Sequence, residues 1–172
     1  MEKPMNNITL IGMPGAGKST LGVLLAKRMG YSFHDTDITI QVQTGKTLSE
    51  LMADIGGDAL MKIENDIIAS LTPKREVIAT GGSAVFGPEG MENLKKRSHI
   101  VYLKVSLSEI EKRVGDLVER GVVLNGCKDI TELYDQRVSR YEHYAEITID
   151  CDGKTVEQCI DSILQAVKET EK

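Results

Sequence analysis

Gly12-Met13-Pro14-Gly15-Ala16-Gly17-Lys18-Ser19-Thr20 is the stretch on which the fold turns. It follows a short apolar run, Ile8-Thr9-Leu10-Ile11, and opens a segment of helical period that reaches Met29. Gly12 and Gly17 ahead of Lys18-Ser19 have the spacing of a phosphate-binding loop of the Walker A type. The glycines let the backbone turn its N–H groups inward, and the helix that follows points its positive end at the same space. A triphosphate is the natural occupant. Lys18 would bridge its terminal phosphates and the Ser19 hydroxyl would ligate magnesium. The nucleotide site is therefore expected to comprise Gly12, Gly15, Ala16, Gly17, Lys18, Ser19 and Thr20.

Four further runs, at 31–35, 76–79, 99–105 and 146–150, are short and rich in β-branched or aromatic residues. Most are nearly continuously apolar, as strands covered on both faces are. Helical spacing separates them. Val156, Cys159, Ile160, Ile163, Leu164 and Val167 form one apolar stripe, and Ile130, Leu133, Tyr134, Val138 and Tyr141 form another around Arg137. Alternating strand and helix predicts an α/β domain with right-handed crossovers and a mainly parallel sheet of five strands. The loosest region, 115–128, contains Gly115, Gly121, Asn125 and Gly126, and reads as a flap or a plain surface loop.

The chain has 172 residues, 41% of them apolar and 27% charged, which fits one packed domain. Its formal charge of −5 disfavours non-specific binding to nucleic acid or anionic membranes, so neither is expected as a partner. No run approaches the length of a membrane span, and residues 1–7 lack the apolar stretch of a signal peptide, so a cytoplasmic monomer is the expectation. Cys127, Cys151 and Cys159 show no close pairing and read as free thiols.

Asp35-Thr36-Asp37 ends the second predicted strand, where an open α/β sheet lines its ligand crevice. Strand alternation would place Asp35 and Asp37 on one side and Thr36 on the other. One carboxylate could hold magnesium while the other orients an acceptor hydroxyl; alternatively, Asp37 caps a helix that begins at Ile38. Thr80-Gly81-Gly82-Ser83 follows the third strand to the same edge, where paired glycines admit a ligand close to the backbone or simply make a turn.

Taken together, these residues resemble the shikimate kinase family of phosphate-loop enzymes over nearly the whole chain. The resemblance implies a three-layer phosphate-loop NTPase fold, a single kinase domain over 1–172, acceptor-binding helices near 37–71 and a short lid near 113–128. It implies ATP as donor, Mg2+ as cofactor, a hydroxyl of a small carboxylated ring as acceptor, and a place in aromatic amino acid biosynthesis. Lys18, Asp37 and Arg120 resemble the catalytic residues, Ser19 and Asp35 the metal ligands, and Arg113 the adenine-contacting arginine. Asp37, Gly81, Gly82, Ser83 and Arg137 resemble the acceptor site, with Arg137 holding the shikimate carboxylate.

Two positions depart from the family pattern. With Glu64 as anchor, Met61 stands where the family usually has a carboxylate-binding arginine, and Ser83 stands where it has a third glycine. Lys62, one residue away, lacks the planar fork of arginine. Losing one charge-assisted contact costs roughly 1.5–3 kcal/mol, enough to redirect specificity. A smaller hydroxy or amino acid such as homoserine is the same-chemistry alternative. A nucleotide kinase would need a pocket sized for a base, and the chain has only two phenylalanines and five tyrosines. A nucleotide-binding module without turnover is the remaining reading, against which Lys18, Asp35, Asp37 and Arg120 weigh.

Overall fold

The computed structural model describes residues 7–115 and 121–171. Five parallel strands, β1 (Ile8–Ile11), β2 (Ser32–Asp35), β3 (Glu76–Ala79), β4 (His99–Lys104) and β5 (Ile147–Asp150), form one sheet in the order β2-β3-β1-β4-β5. The helices among the described residues are α1 (Lys18–Met29), α2 (Thr36–Thr44), α3 (Leu48–Ser70), α4 (Pro88–Arg97), α5 (Leu107–Arg113), α6 (Ile130–Tyr144) and α7 (Val156–Thr170). They flank the sheet in a phosphate-loop NTPase fold. None is long and apolar enough to cross a membrane.

Burial explains the strand patterns. The central strand β1 is buried at all four positions, whereas the edge strand β5 alternates buried and exposed, as a strand covered on one face does. Strand order reverses at β1, which has β3 on one side and β4 on the other, so a crevice opens above its carboxyl end. Gly12 to Gly17 lies there. At the opposite end, the Asn7 amide donates to the Pro73 and Arg97 carbonyls at 3.2 and 2.7 Å and accepts from the Glu76 N–H at 3.0 Å. One buried side chain thus ties together the entries to β1, β3 and β4.

The main core lies between the sheet and its helices; a smaller apolar cluster of Ile40, Leu51, Leu60, Ile67 and Val123 sits beneath α2 and α3. α3 starts with a capping box at Thr47 and Glu50 and breaks at Gly56, whose φ of 78° is not helical. One feature differs from the sequence expectation. The helix after β2 begins at Thr36 with Asp35 as its cap, so Asp37 lies in the first helical turn and not on a strand. The strand alternation invoked for 35–37 therefore does not apply. Within 121–128, Val123 is buried, its carbonyl accepts from Arg137, and the Lys128 N–H donates to Glu132 at 2.9 Å.

Candidate active site

Between the phosphate loop and α3 lies a cavity of about 360 Å³. Pro14, Gly15, Gly17, Lys18, Ser19 and Thr20 form its floor, while Asp37, Glu64, Gly81, Gly82, Ser83 and Arg137 form the opposite wall. Gly17 is the N-cap of α1 at φ 93°, a left-handed conformation that side chains resist. The turn before it closes through the Ala16 N–H, which donates to the Met13 carbonyl at 3.1 Å. Lys18 donates to the Gly12 and Met13 carbonyls, both at 2.8 Å. Burial brings its pKa down to about 8, although Asp37 pulls the other way.

The Ser19 hydroxyl donates to Asp35 Oδ2 at 2.6 Å, and Asp35 Oδ1 caps α2 by accepting from the Asp37 and Ile38 N–H groups. Each Asp35 oxygen is therefore committed: one to the helix, the other to the loop serine. Asp37 is left free to face the cavity. Burial and the neighbouring Asp35 raise its pKa to about 6, against the pull of Lys18.

Glu64 is the functional group that motif reading passed over. Its Oε1 accepts from the Gly81 N–H and its Oε2 from the Ser83 hydroxyl, each at 2.9 Å. It is 4% exposed, and burial followed by Asp37 raises its pKa to about 7. The signal was present in the helix pattern: Glu64 shares a buried stripe with Leu60, Ile67 and Ile68, an apolar context in which a glutamate needs a reason. The Gly81 N–H also reaches the Thr36 hydroxyl at 3.2 Å. A Cβ at Gly81 would collide with Glu64 Oε1 and stand 3.0 Å from Asp37 Oδ1, so both carboxylates flank one point beside this glycine. Gly81→Ala is therefore expected to lower acceptor turnover at least ten-fold while the chain still binds a nucleotide. Unchanged kinetics in an ADP-release assay would contradict this geometry.

Arg137, 1% exposed, is the buried cation of the acceptor wall. It donates to the Val123 carbonyl, and its guanidinium lies 5.8 Å from the centre of the Phe86 ring. Its Nε has no hydrogen-bond partner among the described residues. Tyr141, one helical turn on, donates to the Gly82 carbonyl at 2.6 Å and holds the glycine turn in place.

Not all expected residues share this cavity. Met61 does not line it; the side chain packs against the small cluster, and Leu60 takes the wall position because the turn of α3 that presents Glu64 also presents residue 60. Arg113, at the end of α5, pairs with Glu109 at 3.4 Å and lies beside the loop, where a Cβ on Gly15 would come 3.7 Å from Arg113 Cβ. Gly12, Ala16 and Asp35 stand behind the lining and act on it through the bonds above. Arg120 lies outside the described residues.

A family model described as shikimate kinase matches residues 14–168. The chain is 39% identical over 164 residues to a shikimate kinase of Thermodesulfovibrio yellowstonii, covering 94% of each. To one of Enterococcus faecalis it is 32% identical, covering 96% of this chain and 100% of that one. A solved shikimate kinase from Acinetobacter baumannii in complex with shikimate superimposes with a TM-score of 0.84 at 27% identity, over 98% of this chain and 96% of the other. Sequence, architecture and the loop-bearing cavity agree: the chain belongs to the shikimate kinase family, phosphotransferases that act on a hydroxyl group.

Proposed function

We propose that the chain transfers the γ-phosphoryl group of ATP to a hydroxyl of a small carboxylated acceptor, with shikimate as the first assigned acceptor and shikimate 3-phosphate as its product. The observation that carries this is the single cavity in which the phosphate loop faces Asp37 and Arg137. Lys18 and the loop N–H groups hold the β- and γ-phosphates, and Arg113 lies on the adenine side. Arg137 takes the acceptor carboxylate, and its Nε, unpaired among the described residues, supports that assignment. Gly81, Gly82 and Ser83 bound the acceptor, and Arg120 completes the clamp from the lid. The single kinase domain, with helices over 37–71 and a lid over 113–128, belongs to the same reading.

The oxygen donors suit magnesium. Among the described residues no cluster of three or more His, Cys, Asp or Glu could hold a metal alone. Mg2+ typically keeps waters and takes one or two protein ligands beside substrate phosphates. The Ser19 hydroxyl and the Asp35 carboxylate, 2.6 Å apart, supply such a set. A bound Mg2+ would neutralise phosphate charge there.

Asp37 aligns the acceptor hydroxyl and accepts its proton late, as a loose transition state asks little of a base. Its raised pKa of about 6 still leaves it mostly ionised at pH 7. Lys18→Ala tests the donor half. Turnover with ATP and shikimate should fall by roughly 10²–10³, the usual loss when one preorganised donor to developing charge is removed. A variant that retains full activity in a coupled ADP-release assay would sink the reading of the loop.

A further inference from the structure

With Lys18 committed to phosphates, the acceptor wall, among the described residues, carries Asp37 and Glu64 against Arg137 alone. A simple carboxylic acid that engages Arg137 uses the one buried cation that the described residues place on this wall and leaves Glu64 facing Asp37. Residue 61 offers no second cation, because it is a methionine turned into the apolar cluster. Instead the adjoining wall is apolar, formed by Ile40, Leu48 and Leu60. Glu64 meanwhile is oriented with care. The Gly81 N–H holds one oxygen and the Ser83 hydroxyl the other, and a glycine at 83 could not supply that second bond. Glu64 is a buried carboxylate fixed at the cavity wall by two hydrogen bonds, and its raised pKa shows that the charge lacks a full counterpart, so an incoming cation would stabilise it.

Building on the phosphotransferase reading above, we propose that the cavity takes a second class of acceptor: small hydroxy acids that carry an ammonium group. The carboxylate of such a molecule meets Arg137, its ammonium meets Glu64, and its hydroxyl meets Asp37. The apolar wall covers the short carbon chain between them. In the reaction the hydroxyl oxygen forms a bond to the γ-phosphorus, the bond from that phosphorus to the bridging oxygen breaks, and ADP leaves with the electron pair. The hydroxyl proton passes to Asp37 and then to water. Both classes use the same donor half; Glu64 discriminates between them.

The test compares L-homoserine, L-serine and shikimate as acceptors for the purified chain with ATP and Mg2+. ADP release gives the rate, and phosphorus NMR identifies the phosphomonoester formed. L-Homoserine is expected to be phosphorylated, and Glu64→Gln is expected to lower the homoserine-to-shikimate ratio of kcat/KM at least ten-fold. Calorimetric titration of L-homoserine into both proteins reads the same difference as binding, without turnover. Should Glu64→Gln fail to fold, Ser83→Gly reports instead, since it releases one of the two bonds that orient the carboxylate; the ratio should again fall. Turnover of shikimate with both amino acids inert overturns the second class and leaves the phosphotransferase reading standing. No turnover of any acceptor by a chain that still binds ATP overturns that reading itself. Homoserine turnover with an unchanged ratio in both variants removes Glu64 as the ammonium partner.

Discussion

An Asp37→Asn protein is expected to turn over at about one-hundredth of the parent rate and, at pH 7, to melt several degrees higher. Both effects have one origin. Burial and Asp35 push the Asp37 pKa from 3.8 to about 6, so folding is opposed whenever the group is ionised. A carboxyl whose pKa is raised in the folded state contributes its full stability below pH 4, and that contribution is lost as pH rises through about 6. Two pKa units correspond to roughly 3 kcal/mol at neutral pH. Asparagine, of similar shape, carries no charge to desolvate. The melting temperatures of variant and parent should therefore converge near pH 4 and separate between pH 4 and 7. The loss in rate reflects removal of a general base, which typically contributes 10²–10⁴. ATP affinity should change far less. A melting difference that is the same at every pH, or an undiminished rate, would show that Asp37 does not play this part.

Arg137→Met should have the largest effect on the fold. The guanidinium is 1% exposed, bonds the Val123 carbonyl and lowers the pKa of Glu64. Methionine would leave that carbonyl without its partner and two buried carboxylates without their nearest acceptor-side cation. Removing one partner of a buried charge set costs about 3–5 kcal/mol. The urea midpoint should fall accordingly, and KM for the acceptor should rise by one to two orders of magnitude in whatever fraction folds. Arg137→Lys should recover more of the stability than of the KM, because lysine keeps a charge and loses the fork. If Arg137→Met matches the parent in both measurements, the acceptor carboxylate is bound elsewhere.

The donor half of the site was readable from residues 8–29, because a strand, a glycine turn and a helix follow one another without interruption and each depends only on local spacing. The acceptor half was less readable, because it is assembled from α2, α3, the turn after β3 and α6, which meet only through tertiary packing. Asp37, Gly81 and Arg137 could be named from the resemblance. Glu64 could not be given a role, since its importance comes from the Gly81 N–H and Ser83 hydroxyl seventeen and nineteen residues away. Met61 illustrates the converse: linear alignment assigned it to the wall, and the rotation of α3 gave that place to Leu60. α4 could not be bounded from the sequence because its periodicity is short and rich in charge, and it owes its start to Gly87 and Pro88.

The Asn7 clamp has a consequence for how this scaffold can diversify. It sets the relation of β1, β3 and β4 at the end of the sheet farthest from the acceptor wall, where Ile8 pairs with Val77 and His99. Positions 60, 61 and 83 lie at the other end and share none of its bonds. Mutational drift at the wall can therefore exchange one acceptor for another without disturbing strand alignment, and inherited architecture and acquired chemistry are free to evolve at separate rates.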